Sequence, residues 1–96
     1  MKMVMVVYNE AIDMEVIELL EKCGLKNYTK IFAAYGKGTA SGTHLGSDIW
    51  PGRNNILYVA CEDADAKKVI AGVKNLRVTL SKERIKAFTL PIEDLT

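Results

Sequence analysis

The sequence predicts an α+β fold in which four strands and two helices follow one another in the order strand, helix, strand, strand, helix, strand. Residues 2–8 (KMVMVVY) and 56–61 (ILYVAC) are unbroken apolar runs rich in β-favouring side chains, which indicates strands. Each run is followed by a segment whose apolar residues recur at helical spacing. These segments are typical of amphipathic helices that cover one face of a sheet.

The four strands are expected to form one antiparallel sheet with both helices on one face. Residues 28–35 (YTKIFAAY) and 85–91 (IKAFTLP) are the other two strands, and Pro91 is tolerated at a strand end. Two right-handed βαβ units in this order form the ferredoxin-like βαββαβ sandwich, with the first and third strands central and the other two at the edges. The continuous apolar runs agree with this placement, since they are typical of strands buried on both faces.

Both helices have recognisable ends. Asn9 or Asp13 can cap the start of the first helix, and Gly24 supplies the left-handed residue that commonly ends a helix. Asp63 or Asp65 can cap the second helix. The predicted apolar stripes consist of Ile12, Val16, Leu19, Leu20 and Cys23 in the first helix and of Ala66, Val69, Ile70, Val73, Leu76 and Leu80 in the second.

Length and composition predict a single domain over residues 1–96, because a chain of 96 residues cannot build two separate cores. A net charge of +1 argues against general affinity for nucleic acid, which depends on neutralising several phosphates. No apolar run is long enough to insert into a membrane, and the N-terminus does not have the pattern of a signal peptide. We therefore expect a cytoplasmic protein whose Cys23 and Cys61 are reduced thiols.

The sheet is expected to expose one apolar face. Along the first strand, Met3, Met5 and Val7 point to one side and Val4, Val6 and Tyr8 to the other. Two helices can cover only one side, and a large exposed apolar patch marks an interaction surface. The sequence therefore predicts self-association through the uncovered face.

A long glycine-rich segment, residues 36–55, separates the second and third predicted strands. Connections this long are usually functional or disordered. The segment also contains the single histidine and the single tryptophan of the chain, His44 and Trp50. Most of the chain's 7 glycines fall here, namely Gly36, Gly38, Gly42, Gly46 and Gly52.

Three stretches outside this loop resemble the P-II family of nitrogen regulators. CGLKNYTKIFAAYGKG is similar to the family's segment leading into its regulatory T-loop. NNILYVACEDADAKKVIAGV resembles the strand, acidic turn and helix that follow, and IKAFTLPIEDLT resembles the closing segment. The resemblance implies a homotrimer that binds ATP or ADP in clefts between subunits. It places residues 36–55 in the position of the T-loop, which in the family grips a target protein, either a transporter or an enzyme.

The resemblance also implies a set of site residues. Thr29 is expected to approach the nucleotide base, the turn formed by Gly36, Lys37 and Gly38 to line the phosphate side, and Lys86 to match a phosphate-binding lysine. The target-binding loop is expected to act through Gly42, His44, Asp48, Trp50 and Arg53.

Two departures from the family pattern change these expectations. The loop reads GTHLGSDIWPGR and contains no tyrosine, so control by uridylylation is not expected. The family's glycine-rich second nucleotide loop is shortened here to LSKERIKAF. Because hydrogen bonds to the phosphates are lost with that loop, we expect the protein to bind nucleotide, or another small anion, only weakly.

The alternatives to a P-II-like regulator depend on single residues. His44 and Asp48 are weak candidates for metal ligands, and a metal-handling trimer resembling CutA is the second hypothesis. A structural assembly module without a ligand is the third. No nucleophile stands beside a base in the sequence, so we do not expect an enzyme. The basic residues between Lys67 and Lys86, with the exception of Lys86, are expected to form a solvated helix face.

Overall fold

The computed structural model describes residues 1–36, 53–80 and 85–96. A short 3-10 turn, Glu10–Ile12, joins the first strand to the first helix. The order of the elements confirms the predicted βαββαβ arrangement. They are β1 (Lys2–Asn9), α1 (Asp13–Lys22), β2 (Thr29–Ala34), β3 (Asn54–Cys61), α2 (Asp63–Thr79) and β4 (Ile85–Pro91).

The strands form one 4-stranded sheet in the order β2-β3-β1-β4, and each neighbouring pair is antiparallel. The prediction of central first and third strands is therefore confirmed. On β1, Val4 pairs with Val59 on one side and with Thr89 on the other. Because residues opposite each other in adjacent strands share a face, this register assigns every strand residue to one side of the sheet.

The core lies between the sheet and the two helices. Val4, Val6 and Tyr8 are at most 1% exposed, and they face this core. Burying one large apolar side chain contributes about 1.5 to 3 kcal/mol. The buried cluster contains Val4, Val6, Tyr8, Ile12, Val16, Leu20, Leu57, Val59, Cys61, Ala66, Val69, Val73 and Ile85.

The opposite face of the sheet, which we call the open face, is not covered within the described chain. Met3, Met5 and Val7 lie on it and are only partly buried. Ile31 at one edge and Phe88 at the other are 44% and 46% exposed. The strands are thus buried on one face only in the single chain, and burial of the second face, which the apolar runs predict, would require a partner.

The helix ends differ in part from the prediction. Asn9 caps the 3-10 turn, because its Oδ1 accepts a hydrogen bond from Ala11 N at 2.8 Å. Gly24, with φ of +76°, ends α1 as expected, and the following amide of Leu25 donates to Leu20 O at 2.9 Å. Neither Asp63 nor Asp65 caps α2 through its side chain. Both carboxylates instead lie in the first turn, where the helix dipole favours negative charge.

The two helices approach each other closely at Gly72. A Cβ atom at this position would lie 3.2 Å from Leu19 Cγ and closer still to both Leu19 methyl groups. Glycine at position 72 therefore gives Leu19 the room to pack between the helices.

Candidate ligand-binding and target-binding site

A polar cluster lies beneath the helix layer, at the end of the sheet where residues 36–55 leave and return. Its centre is the Asp13 carboxylate at the start of α1. Asp13 Oδ1 accepts hydrogen bonds from Tyr8 OH at 2.5 Å, from Lys30 Nζ at 2.8 Å and from Asn55 Nδ2 at 3.3 Å. Lys30 Nζ also donates to Asp13 Oδ2 at 3.0 Å. One carboxylate thus joins α1 to β1, β2 and β3.

The charges of the cluster are matched. Burial by itself raises the pKa of Asp13, but the hydrogen bonds from Lys30 and Tyr8 and the nearby lysine charge outweigh it, so the pKa is lowered. Burial and the hydrogen bond to Asp13 raise the pKa of Tyr8 well above its usual value. At neutral pH the Asp13 carboxyl group is therefore ionised and the Tyr8 phenol is neutral.

The backbone next to this cluster sets the two ends of the long loop. Ala34 pairs with Asn54, but the register shifts between Ile31 and Ala34. Ala33 has a positive φ of 57°, which a residue with a side chain rarely adopts. This irregularity is a β-bulge that redirects the edge strand just before the loop. On the returning side, the amide of Glu10 donates to Arg53 O at 3.2 Å, which attaches the loop end to the 3-10 turn.

Four of the predicted site residues belong to the described chain. Gly36 and Arg53 lie at the two ends of the long loop, and both are exposed. Thr29 begins β2 and pairs with Tyr58, whereas Lys86 lies on β4 and pairs with Val7. The other predicted residues lie outside the described residues: Lys37, Gly38, Gly42, His44, Asp48 and Trp50.

Thr29 and Lys86 share the open face but lie at opposite edges of the sheet. The strand order places three strand spacings between β2 and β4, a distance of roughly 14 Å. One chain therefore does not bring the two residues together. Lys86 is also the only charged side chain among the described strand residues of the open face, so it presents a single cation at the rim of an apolar surface.

The Asp13 cluster was not predicted as a unit. The sequence showed Asp13 only as a possible helix cap. Lys30 was the one available signal, because it is a charged residue within a strand that is otherwise rich in aromatic and β-branched side chains. Lys30 and Asn55 lie 17 and 42 residues from Asp13 along the chain. No local sequence pattern relates these positions to one another.

The described residues add three further observations about the chemistry available. In residues 1–36, 53–80 and 85–96, no group of three or more histidine, cysteine, aspartate or glutamate side chains could hold a metal ion. Cys23 and Cys61 are free, and burial raises the pKa of both thiols. Neither described helix is long and apolar enough to span a bilayer.

Comparison with known proteins identifies the family. The sequence matches the nitrogen regulatory protein P-II family over residues 1–96, so the chain belongs to that family. The P-II resemblance is thereby confirmed. No curated protein matches the chain.

Solved structures of P-II-like proteins share the fold. CPII from Thiomonas intermedia, bound to ADP, AMP and acetate, is 16% identical with a TM-score of 0.73, covering 95% of this chain and 84% of that one. CPII bound to ADP, AMP and bicarbonate is 16% identical with a TM-score of 0.69, covering 95% and 85%. A putative PII-like signaling protein from Thermus thermophilus is 21% identical with a TM-score of 0.62, covering 92% and 82%.

Proposed function

We propose that this chain is a P-II-type signalling protein that senses a small anionic ligand, an adenine nucleotide being the first candidate, and controls a target protein through residues 36–55. The observation that carries the proposal is the placement of Thr29 and Lys86 on one face at opposite edges of the sheet. Two copies packed edge to edge would bring β4 of one beside β2 of the next. A ligand cleft would then form between subunits.

The open face supports an assembly of this kind. Its apolar residues are partly exposed in the single chain, and self-association would remove them from water. We propose a homotrimer, because the chain belongs to the P-II family and a closed ring of copies leaves no edge unpaired. In such a ring the lone charge of Lys86 would lie in a cleft with reduced access to water. An anion bound in this cleft would offset the free-energy cost of keeping the Lys86 charge away from water.

We propose that residues 36–55 contact the target protein in response to the bound ligand. Its stems are held by the Asp13 cluster and by the bulge at Ala33, so the two ends have a defined position. A ligand that contacts the stem at Gly36 would act on residues 36–55 directly. We propose that the target is a transporter or an enzyme in nitrogen- or transport-related regulation in the cytoplasm, and that the protein regulates without catalysing a reaction itself.

The experiment that tests this function is a calorimetric titration of the assembled protein with ATP, ADP and AMP. We expect saturable but weak binding, and we expect Lys86→Ala to weaken it by about 10-fold or more, because a charge-assisted hydrogen bond contributes about 1.5 to 3 kcal/mol. Lys22→Ala, which removes an exposed lysine on α1, is the matched control and should leave the affinity unchanged. Submicromolar ATP binding that Lys86→Ala does not affect would place the site elsewhere.

A further inference from the structure

A groove separates α2 from the ends of β1 and β4, on the helix-covered side of the sheet. Its volume is about 370 Å³, which lies within the range of sites for small molecules, about 300 to 1,000 Å³. Its apolar part is formed by Ala66, Ile70 and Ala71 of α2. The polar lining residues are Lys2, Asp63, Lys67, Lys74 and Thr89.

The three lysines approach the groove from two sides. Lys67 and Lys74 are two helical turns apart on one face of α2, a separation of about 10 Å along the axis, and Ile70 and Ala71 lie between them. Lys2 comes from β1 and Thr89 from β4, both on the face that the helices cover. An apolar strip is thus bordered by positive charge along the helix and along the sheet.

The described carboxylates leave this positive charge largely uncompensated. Asp63, the acidic residue of the groove, contacts the amino group of Met1 at 3.3 Å. Asp65 contacts Lys68 at 3.9 Å, and that lysine is not part of the groove. Within the described residues, no carboxylate lies within 4.0 Å of the amino groups of Lys2, Lys67 or Lys74.

We propose that this groove is a second ligand site, which binds a small organic phosphate: a phosphate dianion carried on a short apolar group. Lysine ammonium groups are compact cations suited to phosphate, and two or three of them can converge on one dianion. The Thr89 hydroxyl can donate a further hydrogen bond, while Ala66, Ile70 and Ala71 remove the apolar group from water. Because the groove and Lys86 lie on opposite faces of the sheet, this site does not depend on the proposed nucleotide cleft.

The test is an NMR titration of the full chain with phenyl phosphate at constant ionic strength. We expect saturable shifts of the amides of Ala71 and Thr89 with little change at Lys86. Inorganic phosphate lacks the apolar group and phenol lacks the charge, so each is expected to bind at least about 5-fold more weakly, a difference of about 1 kcal/mol. Equal affinities for phenyl phosphate and inorganic phosphate would show that Ala66, Ile70 and Ala71 do not contribute to binding, which would contradict the proposal.

Variants of the groove make the test specific. The double change Lys67→Gln and Lys74→Gln is expected to lower the affinity for phenyl phosphate by about 10-fold or more. Lys68→Gln on the same helix should change this affinity less than about 2-fold. Ala71→Glu places a carboxylate in the groove at an exposed helical position and should abolish binding, and Ala71→Gln controls for its size.

Two outcomes contradict the proposal. Shifts that never saturate, or that persist unchanged in the double lysine variant, would show that phenyl phosphate only screens surface charge. Loss of phenyl phosphate binding in Lys86→Ala would mean that the ligand occupies the cleft on the open face. Neither outcome affects the nucleotide titration, so the two proposals can fail separately.

Discussion

Lys30 Nζ lies 2.8 Å from one Asp13 oxygen and 3.0 Å from the other, so the edge strand β2 is joined to the start of α1 by a two-point ion pair. The side chain of Lys30 is only 15% exposed, and that of Asp13 is 34% exposed. If the Asp13 carboxylate were removed, the Lys30 ammonium group would therefore be left without a counter-charge in a place that water reaches poorly. This relationship leads to the first two predictions.

Asp13→Asn is expected to lower the free energy of unfolding by roughly 1 to 3 kcal/mol, because Lys30 would remain partly buried without a counter-charge. Urea unfolding followed by circular dichroism measures the change. Glu18→Gln on the exposed side of α1 is the control, with an expected effect below about 0.5 kcal/mol. A stability of Asp13→Asn equal to that of the control would show that the ion pair contributes nothing.

The stability contributed by Asp13 is expected to disappear in acid. Its pKa in the folded protein is lower than the ordinary value of an aspartate, so its contribution is fully present above the unfolded pKa and is lost as the pH falls through the folded pKa. The stability difference between wild type and Asp13→Asn should be constant above about pH 5 and shrink below about pH 4. A difference that stays constant down to about pH 2 would contradict this assignment.

The open face predicts opposite outcomes for two neighbouring substitutions. Met5→Asp places a charge on the open face and should dissociate the proposed trimer into folded monomers, since an unpaired buried charge costs several kcal/mol. Val6→Asp places the same charge in the core and should unfold the chain. Light scattering and circular dichroism distinguish the two results. Wild-type protein that is monomeric at micromolar concentration would refute the assembly.

The close contact between the helices predicts a size limit at position 72. Gly72→Val is expected to destabilise the fold by roughly 1 to 3 kcal/mol, because the added side chain collides with Leu19. In a Leu19→Ala background the same change should cost clearly less, since the space is then free. A thermodynamic cycle over the four proteins measures this coupling. Additive effects would show that Leu19 is not the obstacle.

Much of the fold follows from local sequence patterns. Helical periodicity identified both helices, Gly24 marked the end of the first, and the apolar run of residues 85–91 matched β4 to the residue. The P-II motifs identified the family, which the comparison confirmed. These features are local or lie in contiguous segments, so the chain order alone is enough to recognise them.

Other features depend on contacts between distant residues. Both sides of β1 are apolar, so alternation could not reveal that Val4, Val6 and Tyr8 face the helices while Met3, Met5 and Val7 face outward. The groove also depends on contacts between distant residues, because its lysines come from α2 and from the first residue of β1. On sequence alone Lys67 and Lys74 belong to a solvated helix face, and both are indeed exposed.

The elements, their order and the family follow from the amino-acid sequence alone, because hydrophobic periodicity and the P-II motifs are properties of contiguous segments. Which charged side chains contact each other depends on the folded arrangement of the strands. Asp13 reaches Lys30 and Asn55 because antiparallel pairing places β3 beside β1 and β2 beside β3, and Lys86 is separated from Thr29 because the same pairing places β4 at the far edge. Strand pairing joins residues by register and not by sequence distance, and for that reason the polar cluster and the groove became visible only in the folded chain.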